Sequence, residues 1–307
     1  MSAGLRIGTR GSRLALAQAE WIRRRLEAAH PGLRAELIVI RTSGDRIRDV
    51  PLHQVGGKGL FVKELEAALL AGEIDAAVHS LKDVPGELAP GLEIAAVPER
   101  EAAHDVVITR APGGLAGLPP AARVGTSSPR RAALLRALHP GLAVQDLRGN
   151  VDTRLGKLER GEVDALVLAA AGLHRLGLTP RHAAPCDPHQ FVPAIGQGAL
   201  ALECLPGATA ERLRAVEHRE SRQAVDAERA FLRRVGGTCI TPLAAYAEVR
   251  AEALTLHAAI AHPDGSRLVR GVRRGAAADG PRLGAELADE LLDAGGAAVL
   301  RDLGWPG

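Results

Sequence analysis

Short apolar runs of strand length open the chain, near residues 5–9, 35–41, 74–79 and 92–97. Between the first two, Leu14, Ala17 and Trp21 recur with a helical period. They predict a helix from Ser12 to His30, stopped by Pro31-Gly32. A second helix, from about Phe61 to Ala71, carries apolar residues at 61, 65, 68 and 69. The same order returns, with strands near 105–110, 123–126, 142–147 and 164–169 and a helix that ends at Pro140-Gly141. Strands alternating with helices predict an α/β fold with largely parallel sheets. After about residue 218 the pattern changes. A helix through AERAFLRRV is followed by ALTLHAAIAHPDGSRLVRGVRRG, which reads as a hairpin around PDGS, and by a final helix over about 280–295. The last third is therefore expected to be a small α+β domain.

The two halves also echo each other in letters. RIGT at 6–9 answers RVGT at 123–126, and GEIDAAV at 72–78 answers GEVDALV at 161–167. Two domains on one βαβ plan would explain both pairs. The first half has a longer interval between its echoes, and the surplus holds RTSGDRIRDVPLHQVGGKG, residues 41–59, polar, glycine-rich and without period. A loop of that length inside a compact domain is expected to act as a lid or binding loop.

Composition narrows the class. At 307 residues and 46% hydrophobic content the chain can bury two or three domain cores. A net charge of +3 and 2% aromatic residues argue against a nucleic-acid partner. No run reaches the length of a membrane span, so the expectation is a soluble cytoplasmic protein with no membrane partner. Three cysteines, Cys186, Cys204 and Cys239, form no CxxC pair, which argues against a disulfide framework and against a metal site. Among 39 basic residues only Lys58, Lys63, Lys82 and Lys157 are lysine. The others are arginine, the better fork for carboxylates and phosphates.

Several loops place arginine at the start of a helix. In GTSSPRR, residues 125–131, Ser128 reads as N-cap and Pro129 as first helical residue, ahead of Arg130 and Arg131. A capped helix with solvated arginines is the plain reading; an anion site is the other. TRGSRLAL at 9–16 repeats the arrangement with Arg10 and Ser12, and LRGNVDTRL at 147–155 adds Arg148 and Arg154. Helix starts that follow parallel strands gather where open α/β sheets bind ligands, so a polyanionic ligand is expected. HSLKDVP, residues 79–85, brings one carboxylate, Asp83, beside His79, Ser80 and Lys82. A surface Lys-Asp pair would look the same. In GGTCITP, Cys239 sits in a turn and not in a core position, as a reachable thiol would.

Taken in order, RIGTRGSRLALAQA, TSGDR, GGKGLFVKELE, VHSLKDVP, GTSSPRR, LRGNVDTRL, PAIGQGALALEC and GTCITPLAAYA resemble the porphobilinogen deaminase (hydroxymethylbilane synthase) family from about residue 5 to at least 248. The chain departs slightly at the cysteine turn, where Gly237-Thr238 stands in place of two glycines. The resemblance implies two similar periplasmic-binding-protein-like α/β domains forming a cleft, 1–98 with 197–217 and 99–196, plus a C-terminal α+β domain, 218–307, that carries the cysteine. It implies a transferase that condenses four porphobilinogen molecules head to tail, with loss of ammonia, on a dipyrromethane primer held by Cys239, and then releases hydroxymethylbilane by hydrolysis. Residue by residue, Asp83 and Lys82 match catalytic positions. Ser80, Lys82, Asp83, Thr126, Ser128, Arg130, Arg131, Arg148 and Gly149 match the primer's contacts, and Arg10, Ser12, Arg148, Arg154, Arg175 and Gln197 the substrate's. A monomer is implied, with Cys186 and Cys204 as packed thiols. A binding module of periplasmic type without catalysis would use the same arginines and leave Cys239 idle.

Overall fold

A computed structural model describes residues 4–42, 62–237 and 241–304. Cys239, and the 41–59 loop from residue 43 onward, lie outside the described residues. In chain order the elements are β1 (Gly4–Arg10), α1 (Arg13–Ala29), β2 (Arg34–Ile40), α2 (Lys63–Leu70), β3 (Ala76–Ser80), β4 (Glu93–Ala96), β5 (Asp105–Thr109), β6 (Arg123–Gly125), α3 (Pro129–Leu138), β7 (Ala143–Gln145) and α4 (Val151–Glu159). There follow β8 (Ala165–Ala169), α5 (Ala170–Arg175), β9 (Ala183–Pro185), β10 (Leu200–Cys204), α6 (Ala208–Leu213), α7 (Arg219–Val235), β11 (Leu243–Arg250), β12 (Ala253–Ala261), β13 (Leu268–Ala276), α8 (Gly280–Leu291) and α9 (Ala297–Asp302). The chain divides into two compact units, 1–101 with 198–222, and 102–197 with 223–307.

The first unit is built on a sheet of order β2-β1-β3-β10-β4. On one face Leu5, Ile7, Leu200 and Leu202 pack with Ile22 and Leu26 of α1, and on the other Ile74 and Ala77 pack with Leu65 and Leu69 of α2. The second unit holds a sheet of order β7-β6-β8-β5-β9, the same plan with β6 in the place of β1 and β8 in the place of β3. It also holds the antiparallel sheet β11-β12-β13, which packs Leu254, Leu256 and Ile260 with Phe231 of α7 and Leu287 and Leu291 of α8.

Both five-stranded sheets are largely parallel, as expected, with four strands running one way and a single strand, β10 or β5, running against them. β10 runs antiparallel to β3 and β4, and β5 runs antiparallel to β8 and β9. Pattern alone could not show this, because β10 arrives in the first sheet from more than a hundred residues downstream. Strands β9, β10 and β11 and helix α5 were likewise not marked by the periodicity.

The echoed letters prove to be an echoed structure. α2 and α4 each end in a left-handed glycine, Gly72 (φ +69°) and Gly161 (φ +75°). In each, the next glutamate N–H, Glu73 or Glu162, closes back onto the helix carbonyl of Ala68 or Lys157 at 2.9 and 3.0 Å. The aspartate two residues further on then clasps the arginine of the neighbouring strand. Asp75 accepts from Arg6 N, Nε and Nη2, and Asp164 accepts from the same three donors of Arg123. This clasp sets the register, Ile7 opposite Ala76 in one unit and Val124 opposite Ala165 in the other.

Candidate functional site

In the first unit the expected residues gather where β1 and β3 end. These strands are parallel neighbours, so Arg10 and Ser80, their last residues, emerge on the same edge of the sheet. Ser12 caps α1 with its hydroxyl, which accepts from the Ala15 N–H at 3.2 Å. Ser80 meets the side-chain amide of the buried Gln18 at 2.9 Å. Leu81–Asp83 form one 3-10 turn, anchored by the Leu81 N–H on the Ala199 carbonyl. That turn holds Lys82 and Asp83 partly exposed, with Asp83 Oδ2 4.0 Å from Arg10 Nη1. A 4.0 Å separation in a partly wet setting is a loose pair and leaves the carboxylate able to accept a hydrogen bond from a ligand. His79, its neighbour in the motif, does not join them. Strand alternation turns it into the interior, where it lies 2.9 Å from the fully buried Glu203, near enough for an ion pair but outside hydrogen-bond alignment.

In the second unit the GTSSPRR segment folds as expected but its arginines do not stay in solvent. Ser128 caps α3 by accepting from Arg131 N at 3.4 Å, and Thr126 Oγ1 accepts from the Ser128 N–H. Arg130 and Arg131 then turn inward and are about 4% and 6% exposed. Between them stands Asp105, the first residue of β5, with no exposure at all. Its Oδ2 receives Arg130 Nη2 at 2.7 Å, and its Oδ1 receives Arg131 Nη2 at 2.8 Å and Nε at 3.0 Å. Arg130 also donates to the Val192 carbonyl and Arg131 to that of Val167. The plain reading of solvated arginines is thereby set aside: both guanidinium groups are buried and already committed in part to the protein.

Gln197, expected to touch substrate, is 1% exposed and joins the same cluster: it donates to the Ala103 carbonyl at 2.6 Å and to Asp105 Oδ1 at 2.9 Å, while its Oε1 accepts from Arg131. Asp105 itself was not singled out in the sequence. Its one signal is a carboxylate at the head of a strand with an apolar middle, DVVIT.

The third loop supplies the remaining positive charge. Asn150 caps α4, and Arg154, one turn in, donates to the Gly149 carbonyl at 2.8 Å and to Ser127 Oγ at 2.8 Å. Gly149 has φ +116°, and a Cβ there would fall 2.7 Å from Thr153 Cγ2, so no other residue fits without movement. Arg148 pairs with Asp146 at 3.2 Å. Arg175 ends the short helix α5, partly exposed.

Electrostatically the second-unit cluster is unbalanced. Arg130 and Arg131 share one carboxylate, and their charges, outweighing the burial that opposes ionisation, hold Asp105 down at about 2. Burial, with repulsion from Arg131, lowers Arg154 to about 10. Arg130 Nε is buried and has no hydrogen-bond partner among the described residues. Positive charge in excess, withdrawn from water and carrying an unused donor, is a setting for an anion. The two described cysteines lie outside such chemistry. Burial pushes the Cys186 thiol up to about 12 and that of Cys204 to about 11, so neither supplies a thiolate near neutral pH.

Residues 5–213 match the family described as "Porphobilinogen deaminase, dipyromethane cofactor binding domain", and residues 222–293 match "Porphobilinogen deaminase, C-terminal domain". The chain belongs to the porphobilinogen deaminase family. Porphobilinogen deaminase of Syntrophobacter fumaroxidans is 49% identical over 301 residues, covering 97% of both chains. That of Bordetella parapertussis is 50% identical over 97% of this chain and 96% of its own. Among solved structures, the methionine-binding protein MetQ aligns with 72% of this chain and 90% of its own at 14% identity, with a TM-score of 0.45. Family membership makes the protein a transferase of tetrapyrrole synthesis with a dipyrromethane cofactor. The residues fit that group: its acid side chains match the arginine surplus and the unused Arg130 Nε.

Proposed function

We propose that this porphobilinogen deaminase holds its carboxylated pyrroles with the arginines of the second unit and runs its chemistry at Asp83. The surplus of buried positive charge around Asp105 carries the proposal. The dipyrromethane, when bound, supplies the pyrrole carbon from which the chain grows. Arg130, Arg131, Arg148 and Arg154 bind acetate and propionate side chains, with Thr126, Ser128 and Gly149 shaping the loops that present them. Arg10, Ser12 and Arg175 bind those of the incoming porphobilinogen. Losing ammonia leaves a cation with charge on the pyrrole nitrogen, and Asp83 accepts that N–H and carries the proton; Lys82 and Ser80 flank it. Cys239 is the thioether anchor. The high-lying thiols of Cys186 and Cys204 support this by elimination. We also place the protein in the cytoplasm as a monomer and retain the three-domain division with the C-terminal domain from 218; among the described residues no helix is long and apolar enough to cross a membrane.

Turnover of porphobilinogen to hydroxymethylbilane, followed with wild type and Asp83→Asn, tests the reading. Wild type should form product and the variant should hold substrate-derived rings with little release. Binding of porphobilinogen without turnover by wild type would favour the anion-binding module instead.

A further inference from the structure

The arginine pair is presented by a residue that belongs to neither helix start. Asp105 lies twenty-five residues before Arg130, on β5, and is held from both sides: β5 pairs with β8 through Asp105 opposite Ala169, and the Asp105 carbonyl accepts the Cys186 N–H at 2.8 Å. Its carboxylate is fully enclosed and touches Arg130, Arg131 and Gln197. Together with Val167 and Gln197 it engages four of the five N–H groups of Arg131. Arg130 is fixed by one Asp105 oxygen and the Val192 carbonyl, with its guanidinium carbon 5.8 Å from the Phe191 ring centre. Two long side chains that would otherwise sample many rotamers are thus set in one geometry, and a pair of charges is reduced to a net of one.

We propose that Asp105 is a positioning residue of the reaction: it clamps Arg130 and Arg131 and fixes the net charge that they present to a carboxylated pyrrole chain. The proposal rests on the arginines binding the chain, as put forward above. Arg131 then meets the ligand with the little that Asp105 leaves free, and Arg130 with Nε and its remaining N–H groups. Gln197 acts as the brace of the clamp, tying Asp105 to the Ala103 carbonyl.

Asp105→Asn keeps the shape and removes the charge, and Asp105→Glu keeps the charge and displaces it. Both are made in the full chain and compared with wild type for primer content by denatured intact mass, for kcat and KM, and for thermal midpoint against added inorganic phosphate. Asp105→Asn should lose at least tenfold in kcat and stall with partly grown chains. Its midpoint should climb more steeply with phosphate than that of wild type, because two guanidinium groups with no carboxylate between them recruit an anion more strongly than a pair reduced to a net charge of one. Asp105→Glu should bring the phosphate response back to the wild-type slope and recover part of kcat. Wild-type kcat, KM and primer content in Asp105→Asn would overturn the proposal, and so would a loss that follows the folded fraction with a phosphate response no steeper than that of wild type. Should Asp105→Asn fail to fold, Asp105→Glu decides: a kcat several-fold down at near-wild-type stability supports the clamp, and unchanged kcat at reduced stability refutes it. Wild type found without primer contradicts the functional reading alone, since the phosphate response still tests the clamp.

Discussion

Asp83 and Asp105 are both aspartates beside arginine, and their surroundings are opposite in kind. Asp83 sits partly wet on a 3-10 turn with Arg10 no nearer than 4.0 Å. Positioned groups of its kind contribute about 10²–10⁴-fold each, so Asp83→Ala should reduce turnover by at least that range with little change in folding. Lys82→Ala made alongside separates the readings: equal, mild losses in both variants would make the two a surface pair. Asp105 is dry and doubly paired, so its charge bears on stability. Its folded value of about 2 lies below the unfolded value of about 3.9. Its contribution, on the order of 2–3 kcal/mol, is therefore complete above pH about 5 and is lost as pH falls through about 2. An acid-unfolding series should show that limb in wild type and lose it in Asp105→Asn. Removing Asp105 leaves two buried cations unpaired and should cost about 3–5 kcal/mol, whereas Arg131→Met leaves one neutral pair with Arg130 and should cost less. Arg131→Met should nevertheless be the variant poor in primer or stalled in chain growth, and primer content by mass checks it.

At the scale of elements, the legible parts were those written in local chemistry. Ser12, Ser128 and Asn150 each stand before a helix and each side chain accepts from the N–H three residues on, so the caps and the loops they open could be read directly. The echo of Gly-Glu-x-Asp could be read as well, and its physical content is a helix stop followed by an arginine clasp. Gly72→Ala and Gly161→Ala place a side chain at positive φ in open or flexible surroundings, and each should cost about 1 kcal/mol. Equal shifts in denaturation midpoint would fit the shared motif; no shift at either site would contradict it. What could not be read were partners set by long-range pairing. β10 enters its sheet from residue 200, and Asp105 reaches Arg130 and Arg131 only because β5 lies antiparallel beside β8. The inward turn of His79 follows from strand alternation, but where β3 ends in relation to it was not written in the letters.

At the scale of the whole molecule, one unit carries the buried arginine cluster and the other carries Asp83. The chain and its curated relatives correspond over nearly their full lengths, so the activity belongs to the whole chain and not to one part of it. The function proposed for it depends on a dipyrromethane held covalently at Cys239, with arginines to meet its carboxylates. Intact mass of the denatured wild-type protein, set beside Cys239→Ser, tests that attachment most directly. The wild-type mass should exceed the sequence mass by two pyrrole units, and the Cys239→Ser variant should lack the increment. An active wild-type enzyme at the bare sequence mass, or an increment that survives in Cys239→Ser, would contradict it.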